Sequence, residues 1–286
     1  MMATAGSASI SKESTDRGQQ AYKVGFFLIE TPDKKDPNYT GVTYLPSGQV
    51  ILVDYLNCRV CLLDSSYNFI TSYTLQGYPY STCVTGDDEV AVALPLEKTV
   101  QFLTVRNMLI TPNRKITTEY QCESIAVAKN GEIVVSGPYG KFGLDYWSRV
   151  TRGGEILSYQ QTDRAFYGYS NTNVAVNSSG SDVYLSIARS DALYFFGFDG
   201  TRKFVYRHEL LRRPRGVATD RYDNVLVVGQ TTSTIHHLTK DGAVIQIIKE
   251  GIPYKPKAIC FKKDTDEFLI TNNSDERKKL YLFRLQ

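Results

Sequence analysis

Cys58-x-x-Cys61 is a zinc-like spacing, and it has no companion pair elsewhere in the chain. A structural zinc takes four ligands, commonly from two such pairs. The two thiols are therefore read as packing groups at a loop-to-strand junction. The three histidines are His208, His236 and His237. A catalytic metal needs several side chains converging on one point. His236 and His237 are neighbours on one predicted strand and point to opposite faces. His208 follows a different strand, so a three-histidine site is not expected. Asp264-x-Asp266 lacks the remaining ligands and the glycine of a calcium loop. Asp220 closes a predicted strand, and one carboxylate is not an acid/base pair. Its expected role is capping a turn. The sequence holds no nucleophile elbow, P-loop or dinucleotide fingerprint. No catalytic residue, metal or cofactor is expected.

The elements that carry these residues are read from composition first. The chain has 286 residues, with 33 Lys plus Arg against 30 Asp plus Glu, a formal net charge of +3. That balance implies no nucleic-acid partner by itself; a clustered basic face would be needed. Twenty Tyr and 13 Phe against one Trp and three Met lean towards an all-β fold. No apolar run reaches the 18 residues of a membrane-spanning helix. Residues 1–20 have neither the basic nor the apolar region of a secretory signal and are read as a disordered tail. The five cysteines are then expected to be reduced and the chain cytoplasmic.

A repeat organises the rest. Its first-strand anchors are Val42, Cys83, Ile125, Val174, Val217 and Ile259, about 42 residues apart. A β-branched second strand follows each anchor, then a third strand, a tight turn and a fourth. Asp64-Ser65-Ser66, Gly153-Gly154, Asp199-Gly200 and Asp241-Gly242 supply four of those turns. Four strands per unit predict a six-bladed β-propeller of four-stranded antiparallel blades. The sixth unit lacks its last strand. Val24–Ile29 is expected to supply it and close the ring, removing an exposed edge. One propeller domain over 21–286 follows a tail over 1–20.

Pro214-Arg215-Gly216-Val217-Ala218-Thr219-Asp220, Asn224-Val225-Leu226-Val227-Val228 and Asp241-Gly242 resemble an NHL repeat. Asp54-Tyr55-Leu56-Asn57-Cys58-Arg59-Val60 is similar to that family's Asp…Asn-x-Arg-Val segment. The resemblance extends over about 22–286, and its last stretch, from Arg213 to Gln286, is similar to the C-terminal propellers of tripartite-motif proteins, particularly the invertebrate set. Blade two departs from it, with Lys98-Thr99-Val100-Gln101 in place of Asn-x-Arg-Val. Those relatives place a RING, B-boxes and a coiled coil before the propeller, and residues 1–20 have no room for them. The resemblance therefore implies a target-recognition module without its own ubiquitin-ligase chemistry. It also implies a loop face that binds protein or RNA.

Two loop sets reach that face: those joining second to third strands, and those joining fourth strands to the next blade. Residues 137–147 read as an insertion before a third strand at Val150 and contain Tyr139, Lys141, Phe142, Tyr146 and Trp147. The next connection carries Phe166, Tyr167 and Tyr169. With Arg149, Arg189 and Arg59 as polar contacts, these form the expected protein-binding patch, since Trp, Tyr and Arg dominate binding energies. Arg59, Arg149, Arg213, Arg215, Lys257, Tyr39 and Tyr80 are the alternative set, for single-stranded or stem-loop RNA. A hydrolase or lyase with a metal in the central channel is the third reading. A monomer is expected, with no membrane or DNA partner.

Overall fold

The structure is a computed structural model that describes residues 21–139, 144–165 and 171–286. Strand β1 (Ala21–Leu28) comes first, and six sheets of four strands follow from the pairing pattern. Blade one is β2 (Tyr39–Tyr44), β3 (Val50–Asp54), β4 (Arg59–Leu63) and β5 (Phe69–Thr74). Blade two is β6 (Ser81–Gly86), β7 (Glu89–Leu94), β8 (Thr99–Arg106) and β9 (Leu109–Thr117). Blade three is β10 (Ser124–Val127), β11 (Ile133–Tyr139), β12 (Leu144–Val150) and β13 (Ile156–Ala165). Blade four is β14 (Thr172–Val176), β15 (Asp182–Ile187), β16 (Ala192–Gly197) and β17 (Arg202–Tyr206). Blade five is β18 (Pro214–Thr219), β19 (Val225–Gly229), β20 (Thr234–Leu238) and β21 (Val244–Ile248). Blade six is β22 (Pro256–Phe261), β23 (Glu267–Asn272) and β24 (Lys279–Leu285), completed by β1.

Second strands such as β3 and β19 are apolar on both faces because both faces are covered by neighbouring blades, and every residue in them is buried. Outer strands such as β5 and β21 alternate or fade towards solvent. The core is accordingly six apolar clusters, one at each blade junction. The closing junction packs Ile29, Val42, Leu52 and Leu63 against Leu269, Leu280 and Leu282. Strand β1 pairs antiparallel with β24 from Ala21↔Leu285 to Leu28↔Lys279, with one slip after Lys23. The expected closure is present, and the strand starts three residues earlier than the apolar run suggests.

Inner strands crowd the axis. A Cβ on Gly216 would lie 2.8 Å from the Ile259 nitrogen and the Lys257 carbonyl, so that position on β18 admits only glycine without a shift. Three of the expected turn glycines, Gly154, Gly200 and Gly242, have the positive φ that the tight turn demands.

Blade three corrects the sequence reading. The segment 137–147 is not a loop insertion at its ends but a longer hairpin. β11 and β12 pair from Ile133↔Val150 to Tyr139↔Leu144. Pro138 is paired opposite Asp145, beyond the last β10 partner at Ser136. There β11 is an edge, where proline is tolerated.

Candidate functional site

Strands alternate in direction within a blade, so the second-to-third loops and the blade-to-blade connections emerge on one face. On that face, residues from all six blades meet around the channel mouth: Asn38, Tyr80, Glu123, Asn171, Arg215 and Lys257. Each lies at or just before the first strand of its blade. Tyr80 spans the opening. Its hydroxyl accepts from Arg215 Nη1 at 2.9 Å and donates to Asn171 Oδ1 at 2.5 Å. Lys257 Nζ donates to Asn38 Oδ1 at 2.9 Å and lies 5.8 Å from the Tyr80 ring centre. Glu123 Oε2 accepts from the Thr172 backbone at 2.9 Å. Burial pushes the Tyr80 phenol above its ordinary range, against the opposing pull of Arg215. Below the mouth the channel is lined by small neutral groups, among them Thr40, Ser81, Thr82, Ser124 and Asn173, around a cavity of about 70 Å³.

Beside the mouth is a second, apolar cavity of about 230 Å³. It is lined by Tyr55, Tyr78, Tyr80, Pro95, Leu96, Gln121, Glu123 and Asn171. Tyr55 packs on Tyr78 at 5.1 Å and meets Tyr80 edge-on at 6.1 Å. Tyr78 is 43% exposed and Leu96 50%, so the rim is apolar and open to solvent. The volume falls below the ~300 Å³ at which small-molecule pockets begin and suits one side chain or ring.

The residues expected from sequence fall into different places. Tyr146 and Trp147 are 2% and 0% exposed and do not form a surface patch. Trp147 packs against Phe196 at the junction of blades three and four. Tyr146 stacks on Tyr159 and donates to the Gln121 carbonyl. Arg149 lies near the far end of β12, opposite Val134, and so on the other face of the propeller. There it pairs with Glu132 through two bonds of 2.7 and 3.1 Å and stacks on Phe198. That pair holds the Glu132 carboxyl below its usual range. The misplacement has one cause: a third strand begun at Val150 reverses which end of it Arg149 occupies.

Arg59 is on the loop face but buried, bonded to Asp54 at 3.1 Å and Asp33 at 2.8 Å. It ties β4 to the chain that joins β1 to β2. Tyr39 is buried at 1%. Arg189 is half-buried in a short 3-10 turn, Ala188–Ser190, and Arg213 is exposed on the loop face. Of the residues expected around the blade-three loop, Tyr139 ends β11, while Lys141, Phe142, Phe166, Tyr167 and Tyr169 lie outside the described residues. Arg215, Lys257 and Tyr80 are the predicted residues that the fold brings together. Tyr55, Tyr78, Leu96, Asn38, Glu123 and Asn171 were missed. The signal for the last three was the column just before each first-strand anchor, of which only the Tyr, Arg and Lys members stand out by chemistry.

His236, His237 and Cys61 are buried in the blades. His236 donates from Nε2 to the Leu210 carbonyl at 3.1 Å and accepts the Tyr206 hydroxyl at Nδ1. Burial pushes its pKa down to about 4. His237 lies 3.4 Å from Asp220, both fully buried. Asp220 caps its turn, accepting the Tyr222 and Asn224 backbone N–H groups. Its carboxyl stays below the usual range because these bonds and His237 outweigh burial. All five cysteines are unbridged, and burial pushes Cys61 up to about 12. Among the described residues no three His, Cys, Asp or Glu side chains group as a metal site, and no helix is long and apolar enough to cross a membrane.

Six four-stranded blades closed around an axis make this a six-bladed β-propeller. Solved propellers superimpose on it over most of its length. A streptogramin B lyase matches with a TM-score of 0.66 at 14% identity, covering 92% of this chain and 98% of the lyase. The virginiamycin B lyase of Staphylococcus aureus matches at 0.64 and 13%, covering 94% and 100%. The propeller domain of Myceliophteria thermophila Cps50 (Swd1) matches at 0.63 and 10%, covering 87% and 83%. At these identities the likeness concerns the fold. No family model and no curated protein matches the sequence.

Proposed function

We propose that this chain is a non-enzymatic recognition propeller that captures a protein partner on its loop face. An apolar or aromatic side chain of the partner seats among Tyr55, Tyr78, Tyr80 and Leu96. The observation that carries this reading is the open apolar pocket beside the channel mouth, with Tyr78 43% and Leu96 50% exposed at its rim. Tyrosines on a rigid scaffold give large contact area at low entropic cost, and partly exposed ones are available to a ligand. The resemblance to NHL propellers of tripartite-motif proteins supports the same role. In that setting the module would select targets for ubiquitination by RING-bearing relatives, or compete with them, as a cytoplasmic monomer.

RNA draws less support. Arg59 is neutralised by two carboxylates, Tyr39 is buried and Arg149 is on the other face. Of the five cations expected to hold a polyanion, only Arg213, Arg215 and Lys257 stay on that face without an ion pair among the described residues. The lyase reading draws less still: both rings of the His236–His237 pair are buried in the core, and Asp220 caps a turn.

The test is affinity capture with wild type and with a Tyr78→Ala, Leu96→Asp double variant, each with and without RNase. The expected result is a partner that survives RNase and binds the variant at least about tenfold more weakly, at unchanged melting temperature. A partner retained by the variant rejects the pocket, and one lost with RNase rejects the protein reading.

A further inference from the structure

Arg215 and Lys257 are each 8% exposed, stand on adjacent blades, and take part in no ion pair among the described residues. Every acceptor they use is neutral. Arg215 Nε bonds Gln230 Oε1 at 3.2 Å and Nη1 bonds the Tyr80 hydroxyl; Lys257 Nζ bonds Asn38. Elsewhere the fold supplies counter-charges: Arg59 has Asp33 and Asp54, Arg149 has Glu132, and Arg212 has Asp191. Two buried cations without an anion in direct contact are costly. Burial, with Arg215 and Arg277 nearby, pushes Lys257 down to about 7. Donors remain unused: Arg215 Nη2 and two of the three Nζ hydrogens.

We propose that Arg215 and Lys257 bind the carboxylate of a peptide ligand at the channel mouth, while its apolar side chain fills the Tyr55–Tyr78–Leu96 pocket. The proposal rests on the reading of this face as a protein-binding surface and names the chemistry recognised there. Tyr80 joins the two halves: its ring lines the pocket and its hydroxyl meets Arg215. A single anionic group fits better than a phosphate chain, because the neighbouring arginines Arg59 and Arg212 are already paired. The channel below, about 70 Å³, holds the ligand at the mouth. Binding places an anion beside Lys257 and draws a proton onto it. Facing Lys257 are Arg215 from β18, Arg277 from the β23–β24 connection, Asn38 before β2 and the Tyr80 ring before β6, and Glu123 acts on the Tyr80 hydroxyl. Affinity therefore falls as pH rises above about 7.

The probes are N-acetyl-phenylalanine, its amide, and N-acetyl-Phe-Asp-amide, titrated into the whole chain by NMR up to about 10 mM, the range of weak single-residue ligands. N-acetyl-phenylalanine represents a chain terminus, and the Asp-amide peptide an acidic side chain. At least one of these acids is expected to bind, with the neutral amide about tenfold weaker or more. Binding of that acid should weaken similarly in Lys257→Met and Arg215→Met and decline above pH 7. The acid–amide comparison uses wild type alone, so it stands even if a variant misfolds. Equal binding of acid and amide overturns the carboxylate site but leaves the apolar pocket standing. No binding of either acid also overturns it, and the pocket is then judged by the Tyr78→Ala, Leu96→Asp capture alone.

Discussion

Trp147 and Tyr78 show what decides the work of an aromatic residue here. Trp147 falls in the segment 137–147 that reads as a loop in sequence, and Tyr78 falls between Gly77 and Pro79. Trp147 turns into the junction between blades three and four, among Val134, Val183, Leu185 and Phe196, at 0% exposure. Tyr78 stays on the rim between Gly77 and Pro79, where the chain passes from one blade to the next. Trp147→Ala removes the largest buried side chain in that junction and leaves a cavity. It is expected to cost about 3–5 kcal/mol in urea unfolding. Partner capture well below the melting temperature should be unchanged. Loss of capture with intact stability would return Trp147 to the binding surface. The pocket residues were hard to read because nothing in the spacing distinguishes a tyrosine that packs from one that stays exposed. Only the close approach of two blade-to-blade connections does so.

The strands were far more legible than the site. Apolar anchors recurring about every 42 residues locate the blades because each is followed by a second strand that is buried on both faces and so reads as an apolar run. The hairpin of β11 and β12 escaped because Gly137 and Pro138 normally punctuate. Here Gly137 is required by contact instead: a Cβ would lie 1.9 Å from the Gln121 carbonyl. Closure by β1 was legible for the complementary reason that a missing fourth strand leaves an edge. Its removal gives a sharp expectation. Deleting residues 21–30 takes away the β1 pairing and Ile29, which is 2% exposed in the closing junction. A loss near 4 kcal/mol from that side chain and its strand corresponds to about 7 °C in melting temperature for a domain of this size. An unchanged melting curve would show that the ring does not depend on its own N-terminal strand.

At the scale of the whole molecule, the blades meet twice: through the apolar junctions, and through the polar ring at the channel mouth. The second link makes stability depend on pH in a way no single blade would. Lys257 is held at about 7, against an ordinary 10.5 for the exposed side chain. A depressed folded value means the contribution is fully present above 10.5 and is lost as pH falls through 7, since the unfolded chain binds the proton first. Buried thiols act with the opposite sign. Cys61 is raised to about 12, so its contribution is present below the ordinary 9.0 and is lost as pH rises. The two trends overlap only between pH 9.0 and 10.5, where they run in opposite senses in wild type. They separate when Lys257→Met and wild type are compared at each pH, because all other groups drop out of the difference. Between pH 10 and pH 7.5 the stability of wild type relative to the variant should fall by about 3 kcal/mol. Urea unfolding at the two pH values measures it. A difference that stays constant would mean Lys257 keeps its proton in the folded ring, which requires a counter-anion that the mouth already holds.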